Sequence, residues 1–268
     1  MGETVLLVGC GNMGRAMLAG WLKARPGLDA HVVEPAEALR DQAAALGAKA
    51  VASAEALPGG LKPTLIVLAV KPQVMAEVIP AYAGYEGATF VSVAAGTTVA
   101  TLKAGLGAGA PVIRCMPNTP AAIGAGMMVV FASTEVAADR LALAEALFAC
   151  SGEVARIGSE SLMDAVTAVS GSGPAYVFHM IEALAEAGAA AGLPAALSLI
   201  LARQTVMGAG KLAAESGVDP AELRRQVTSP NGTTAAGLSV LMGEGGLGPL
   251  MVRTVAAAKR RGEELAQG

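Results

Sequence analysis

Short apolar runs alternate with helix-length amphipathic stretches over more than half of this 268-residue chain. Thr4–Val8, Ala30–Glu34, Thr64–Val70, Thr89–Ala94 and Val112–Met116 are strand-like. Several are apolar throughout, as strands covered on both faces must be. Between them Met13–Ala24, Ala36–Leu46 and Gln73–Ile79 carry helical patterns. Strand alternating with helix predicts a parallel sheet covered on both sides. Met127–Phe131 and Glu153–Ile157, flanking the helical Val136–Ala149, are expected to complete it.

From Ser159 the texture changes. Ser161 followed by Asp164 reads as a capping box, and no convincing strand follows. Leu162–Ala191, Pro194–Glu215, Pro220–Val227, Thr234–Met242 and Pro249–Ala266 all read as helices. The expected division is therefore residues 1–158 for the sheet domain and 159–268 for a helical one. Gly192 to Ala214 carries only two charges, Arg203 and Lys211. A helix that apolar all round must be buried, and so small a bundle cannot hide it. A second copy supplying the cover is expected, making the chain at least a homodimer through its helical half.

Composition narrows the function. Hydrophobic residues make up 53% and aromatic residues 3%, so the cores are built from Ala, Val, Leu, Ile and Met. A formal charge of −3, with no basic run, argues against nucleic acid as a partner. The three cysteines, Cys10, Cys115 and Cys150, are far apart and form neither a CxxC nor a Cys/His cluster. No disulfide framework or metal site is expected, and a reducing, cytoplasmic setting fits. The opening Met1-Gly2-Glu3-Thr4 is acidic where a secretion leader needs positive charge. The uncharged apolar run Ala187 to Ala202 is too short to span a bilayer and contains Pro194, so no membrane association is expected.

The first strand runs into Gly9-Cys10-Gly11-Asn12-Met13-Gly14, a GxGxxG turn opening a helix. Glu34, twenty positions beyond Gly14, ends the second strand. Alone the motif is weak, but in this context it is the dinucleotide fingerprint of a Rossmann-type domain. Gly9 permits the tight turn, Gly11 the approach of a pyrophosphate, and Gly14 close helix–strand packing. Glu34 would accept hydrogen bonds from the adenosine ribose and repel a 2′-phosphate, which tilts the cofactor toward NADH. The alternative is that Glu34 turns to solvent while Arg40 meets a phosphate. Further strand ends face the same ligand: Val70-Lys71-Pro72, Ala94-Ala95, and Asn118-Thr119.

Near the other end lies "QVTSPNGTTAAGL", residues 226–238. Thr228-Ser229-Pro230-Asn231-Gly232 is turn chemistry, and Thr233 or Thr234 offers a side-chain cap to the helix that follows. Such a corner presents unpaired N–H groups and hydroxyls, which suits a small anion. The run "VSGSGPAY" (169–176) interrupts a helical pattern with Gly171, Gly173 and Pro174, so a bend or kink is expected there. It reads either as an interdomain bend or as backbone thinned for ligand approach. His31 and His179 read as structural residues.

Taken in order, GCGNMG, LAVKPQ, RCMPNTP, VSGSGPAY and VTSPNGTT resemble the pyrroline-5-carboxylate reductase family over nearly the whole chain. The last motif departs from the family's usual Ser-Pro-Gly-Gly-Thr-Thr in having Asn231, a residue that tolerates positive φ. The resemblance implies an α/β Rossmann-type parallel sheet domain followed by an all-helical dimerisation domain, in dimers that often form rings. It implies hydride transfer from NADPH or NADH to the C=N carbon of a cyclic imino acid, giving proline. Thr233, Thr234 and Glu160 would be the catalytic residues, Glu160 sitting near the substrate, and Ser229, Asn231, Gly232, Thr233 and Thr234 would bind it. Gly9, Gly11, Asn12, Met13, Gly14, Glu34, Val70, Lys71, Pro72, Ala94, Ala95 and Asn118 would meet the cofactor. Two other readings compete. A β-hydroxyacid dehydrogenase needs a lysine on the first long helix of its second domain, and Leu162–Ala191 has none. A dinucleotide-binding regulator would have no use for the hydroxyl-rich corner.

Overall fold

The structure, a computed structural model, describes residues 3–267, with side chains up to residue 265. Met1 and Gly2, with which the leader reading begins, and Gly268 lie outside the described residues. The chain forms two compact units. One runs to Ser172 and regains the chain from Ala258 on, and the other is Gly173–Ala257. The division expected at 158/159 followed the loss of strand pattern. Packing instead groups Ser159–Ser172 and the end of the last helix with the sheet.

In the first unit the elements are β1 (Thr4–Val8), α1 (Asn12–Ala24), β2 (Asp29–Val33), α2 (Glu37–Ala45), β3 (Lys49–Val51), β4 (Leu65–Leu68), α3 (Met75–Val78), β5 (Thr89–Ser92), α4 (Val99–Leu106), β6 (Val112–Met116), β7 (Gly126–Ala132), α5 (Ala138–Phe148), β8 (Gly152–Arg156) and α6 (Met163–Val166). The eight strands form one sheet in the order β3-β2-β1-β4-β5-β6-β7-β8. Strands β1 to β6 pair in parallel, β1 lying between β2 and β4. Every residue of β4, β5 and β6 is buried, which is why apolar residues stand at successive positions in them without strict alternation. Helix α1 buries Gly14, Met17, Leu18 and Trp21, the i, i+3, i+4, i+7 stripe of a helix lying on a sheet.

Four features depart from the sequence reading. Strand β7 runs antiparallel to β6, with β8 parallel to β7. Only a 3-10 turn, Thr119–Ile123, joins Met116 to Gly126, and so short a connection cannot cross over to a parallel neighbour. Second, the helix expected over Gln73–Ile79 is a 3-10 turn (Pro72–Val74), the single turn α3, and another 3-10 turn (Ile79–Tyr82). Pro80 lacks an N–H and its ring crowds the preceding turn, so no regular helix continues through it. Third, Ser159 and not Ser161 provides the side-chain cap, accepting from the Ser161 N–H at 3.4 Å. Fourth, β3 and α4 lay outside the expected set. β3 is a short, partly exposed edge strand, and α4 is a short helix started by Thr98, whose Oγ1 accepts from Thr101 N.

The stretch expected as one helix over Leu162–Ala191 is broken into α6, a π turn at Thr167–Gly171, and α7 (Gly173–Ala190). The expected kink at SGSG is thus a wide turn. With α7 the second unit begins, followed by α8 (Ala195–Glu215), α9 (Pro220–Gln226), α10 (Thr233–Leu241) and α11 (Leu247–Gln267). Helices α7 and α8 meet closely. Ser198 Oγ donates to the Ala185 carbonyl at 2.6 Å, and a Cβ on Gly188 would lie 2.2 Å from that oxygen. Ser198 and Ala202 are buried, yet Val177, Phe178, Met180, Ile200 and Met207 are exposed. So much exposed apolar surface marks an interaction face. Among the described residues no helix is long and apolar enough to cross a membrane. The end of α11 rejoins the first unit, where Asp164 Oδ1 would lie 2.9 Å from a Cβ on Gly262.

Candidate active site

The strand order reverses between β1 and β4, and crevices beyond the carboxyl ends of strands at such a switch point are where α/β sheets bind ligands. Gly9, at φ 89°, turns the chain out of β1. A Cβ there would lie 2.9 Å from the Ala69 carbonyl oxygen and 2.9 Å from Val70 Cγ1, and one on Gly14 would lie 2.4 Å from the Gly9 oxygen. Both glycines are therefore required by packing. Gly11 is different, since a Cβ there would meet nothing within 4 Å. It borders open space at the start of α1, where it stands at the cap position without a side-chain cap. The first internal bond of the helix is Arg15 N to Gly11 O, which leaves the N–H groups of Asn12, Met13 and Gly14 for an outside acceptor. With the helix dipole behind them, these amides suit a pyrophosphate. The residues present fit a dinucleotide: two glycines make the turn and the third keeps its mouth clear.

Glu34 does not turn to solvent. It is 8% exposed. Its Oε2 accepts from Cys10 N at 2.7 Å and its Oε1 from Ala36 N at 2.9 Å. The carboxylate thus ties the glycine turn to the start of α2. Arg40 Nη1 donates to the Glu34 and Pro35 carbonyls at 3.1 and 2.7 Å, so its cation stands beside that end of the strand. Cys10, between the two glycines, is fully buried, and burial, reinforced by the Glu34 charge, pushes its thiol up to about 11. It stays a neutral thiol near neutral pH, without nucleophilic character.

The other strand ends lie in the same unit. Val70 and the exposed Lys71 follow β4, and Pro72 opens the next turn. Ala94 is buried beyond β5, its N–H donating to Ser92 Oγ at 3.3 Å, and Ala95 follows it. Asn118, beyond β6, has its amide engaged within the protein: Oδ1 accepts from Met127 N at 2.9 Å, and Nδ2 donates to Ser170 O at 3.2 Å. Glu160 is engaged too. Its Oε1 accepts from Arg114 Nη1 at 2.8 Å and from Val99 N at 2.7 Å, at the first turn of α4. Arg114 is 5% exposed, and removing its partner would strand a buried charge, at a cost of about 3 kcal/mol. Arg114 was missed in the sequence, although a cation inside the apolar run Val112–Met116 was the available signal.

The corner at residues 228–233 lies in the second unit. Asn231 adopts φ 58°, the one positive φ outside glycine among the described residues. Gly232 N donates to Ser229 O at 3.1 Å, closing the turn. The cap position belongs to Gly232, not to Thr233 or Thr234, and no side chain caps α10. The expected threonine cap is corrected: both threonines lie inside the first turn and are exposed. Ala236 N makes the first internal bond, to Gly232 O, so the N–H groups of Thr233, Thr234 and Ala235 lack intrahelical partners. Ser229 is exposed beside them. His31 is buried against Asp29, Nε2 to Oδ1 at 3.2 Å, and His179 is exposed beside Glu182 on α7.

A reversing parallel sheet with an uncapped glycine turn at its switch point, followed in the chain by a bundle of apolar helices, defines a two-domain nicotinamide-dinucleotide oxidoreductase. The comparisons narrow that class. Residues 160–265 match the family model described as pyrroline-5-carboxylate reductase dimerisation, and residues 4–96 one described as NADP oxidoreductase, coenzyme F420-dependent. The pyrroline-5-carboxylate reductase of Synechocystis is 47% identical over 75% of this chain and 74% of its own. The solved structure of the Coxiella burnetii enzyme of that name matches with a TM-score of 0.92 at 32% identity, covering 99% of both chains. The Plasmodium falciparum pyrroline carboxylate reductase, solved with NADP bound, matches at 0.84 and 27%, covering 98% of both. The chain belongs to the pyrroline-5-carboxylate reductase family.

Gly11 and Gly14 separate binding from packing. Gly11→Ala is expected to fold with an unchanged Tm while weakening NADPH binding at least tenfold in a fluorescence titration. Gly14→Ala should lower both Tm and affinity. A Gly11→Ala protein that binds NADPH normally would show that the open space is not the pyrophosphate site.

Proposed function

We propose that this chain reduces 1-pyrroline-5-carboxylate to L-proline with a nicotinamide dinucleotide, the last step of proline biosynthesis. The observation that carries the reading is the uncapped first turn of α10, entered through Asn231 at φ 58° and bearing two exposed hydroxyls. A carboxylate accepts from the free N–H groups of Thr233, Thr234 and Ala235, favoured by the helix dipole. The Thr234 hydroxyl hydrogen-bonds the ring nitrogen and fixes which carbon is presented. A bound nicotinamide supplies the hydride. The protonated imine is already electrophilic, so neither a strong acid nor a nucleophile is needed from the protein. The engaged or exposed histidines and the buried Cys10 agree with that economy. Catalysis is then mainly positioning of the reacting carbons. Glu160, with its Oε1 already engaged by Arg114 and Val99, contributes as a tie and not as a proton carrier.

The cofactor is NADPH or NADH, and we read Glu34 as tilting the choice toward NADH. Its carboxylate is held at the end of β2 by two amides. A 2′-phosphate about 4 Å away would meet a repulsion of about 1 kcal/mol in water and about 4 at a protein-surface dielectric. Arg40 beside it offsets part of this. The exposed apolar helices of the second unit support a homodimer formed through that unit, which can assemble further into rings of dimers. The three free thiols suit a reducing cytoplasm.

Purified protein should oxidise NADPH and NADH when given the cyclic imino acid; no loss of absorbance with either ends the reading. Thr233→Val together with Thr234→Val should lower kcat/KM for the imino acid about tenfold, the worth of one or two hydrogen bonds, with cofactor Kd unchanged. An equal loss of cofactor affinity would place the corner with the dinucleotide. Glu34→Gln should raise the NADPH-to-NADH ratio of kcat/KM about tenfold, since loosening of the glycine turn affects both cofactors alike. An unchanged ratio removes Glu34 from the discrimination. Light scattering should return at least twice the 26.5 kDa chain mass, and a single-chain mass would contradict the dimer.

A further inference from the structure

The π turn at Thr167–Gly171 is held at a distance by one side chain. Within it the Ser172 N–H reaches back to Thr167 O at 2.8 Å, and such wide turns collect at functional sites because they are less favourable than the regular helix they interrupt. Thr167 Oγ1 is turned onto the Met163 carbonyl at 2.9 Å, and Ala168 is fully buried, so the inner wall of the turn is fixed. Its outer end is met by Asn118, 52 residues earlier in the chain, whose Nδ2 donates to Ser170 O at 3.2 Å and lies 3.4 Å from Ser170 Oγ. The opposite end of the same amide is anchored, Oδ1 accepting from Met127 N at the start of β7. The amide therefore spans the end of β6, the start of β7 and the π turn, with donor and acceptor both in use. Residues Ser170–Gly171–Ser172 are the last of the first unit before the chain enters α7.

We propose that Asn118 is a positioning residue for the reduction: it sets the π turn, and through it the thinned backbone of the Ser-Gly-Ser-Gly run, without itself binding the dinucleotide. This revises the cofactor-contact role that its place in RCMPNTP implied. The kinetic part rests on the reductase reading above, and the structural part does not.

Asn118→Asp separates the two arms, because an aspartate still accepts from Met127 N but turns an acceptor toward the Ser170 carbonyl. Amide hydrogen exchange on the full-length protein should show Ser172 exchanging at least tenfold faster than in the parent, with Met127 unchanged. The kcat for imino-acid reduction should fall at least tenfold while NADPH Kd, from fluorescence titration, stays within twofold. Ser170→Ala, which keeps the carbonyl acceptor, should stay close to the parent in both. If Asn118→Asp does not fold, Asn118→Ser is held to the same exchange at Ser172 and the same split between kcat and Kd. Unchanged exchange at Ser172, or a Kd that weakens in step with kcat, overturns the proposal. An inactive parent protein would sink the reductase reading and leave the exchange measurement to decide the positioning claim.

Discussion

An α-helix cannot pair its first backbone N–H groups internally, and this chain leaves them uncapped at two starts where glycine holds the cap position. At α1 the residue is Gly11 and at α10 it is Gly232. A hydroxyl or carboxylate at either place would have satisfied the amides and closed the site. Other starts vary: Thr98 caps α4 and Asp219 caps α9, Glu160 reaches the first amide of α4 from a distant turn, and α2, α5 and α8 begin at Ala36, Ala137 and Pro194 without a side-chain cap. We propose the two glycine starts as different anion sites for one reaction, the first for a pyrophosphate and the second for a carboxylate.

Polar side chains, buried at Glu34 and Arg114 and half-buried at Glu160 and Asn118, hold the backbone around the first of these sites. Glu34 binds the glycine turn to α2, Glu160 and Arg114 bind the start of α4 to β6, and Asn118 binds the loop after β6 to β7 and the π turn. Residues that a motif marks as ligand contacts are, in these three cases, occupied with backbone.

Much of this was legible in the sequence. Fully buried strands announce themselves by mainly apolar runs, and Val112–Met116 was placed to the residue despite Arg114. The glycine turn could be read because each glycine has a separate steric duty. Asn231 at positive φ followed from the tolerance of asparagine for that region. What escaped depended on contacts distant in sequence. The direction of β7 follows from a connection too short to cross over, and β3 is an edge strand with little apolar signal. The inward turn of Glu34 depends on an amide 24 residues away, and the engagement of Asn118 on a turn 52 residues away. The misplaced cap on α10 has a local cause: with three candidate residues in a row, propensity favoured threonine, whereas the turn closed by Ser229 put Gly232 in the place.

The most direct test is a crystal of the protein soaked with L-proline and the oxidised dinucleotide. The account places the proline carboxylate on the amides of Thr233, Thr234 and Ala235, its ring nitrogen at the Thr234 hydroxyl, and the pyrophosphate on the amides of Asn12–Gly14. Proline lodged away from residues 229–234 would contradict it.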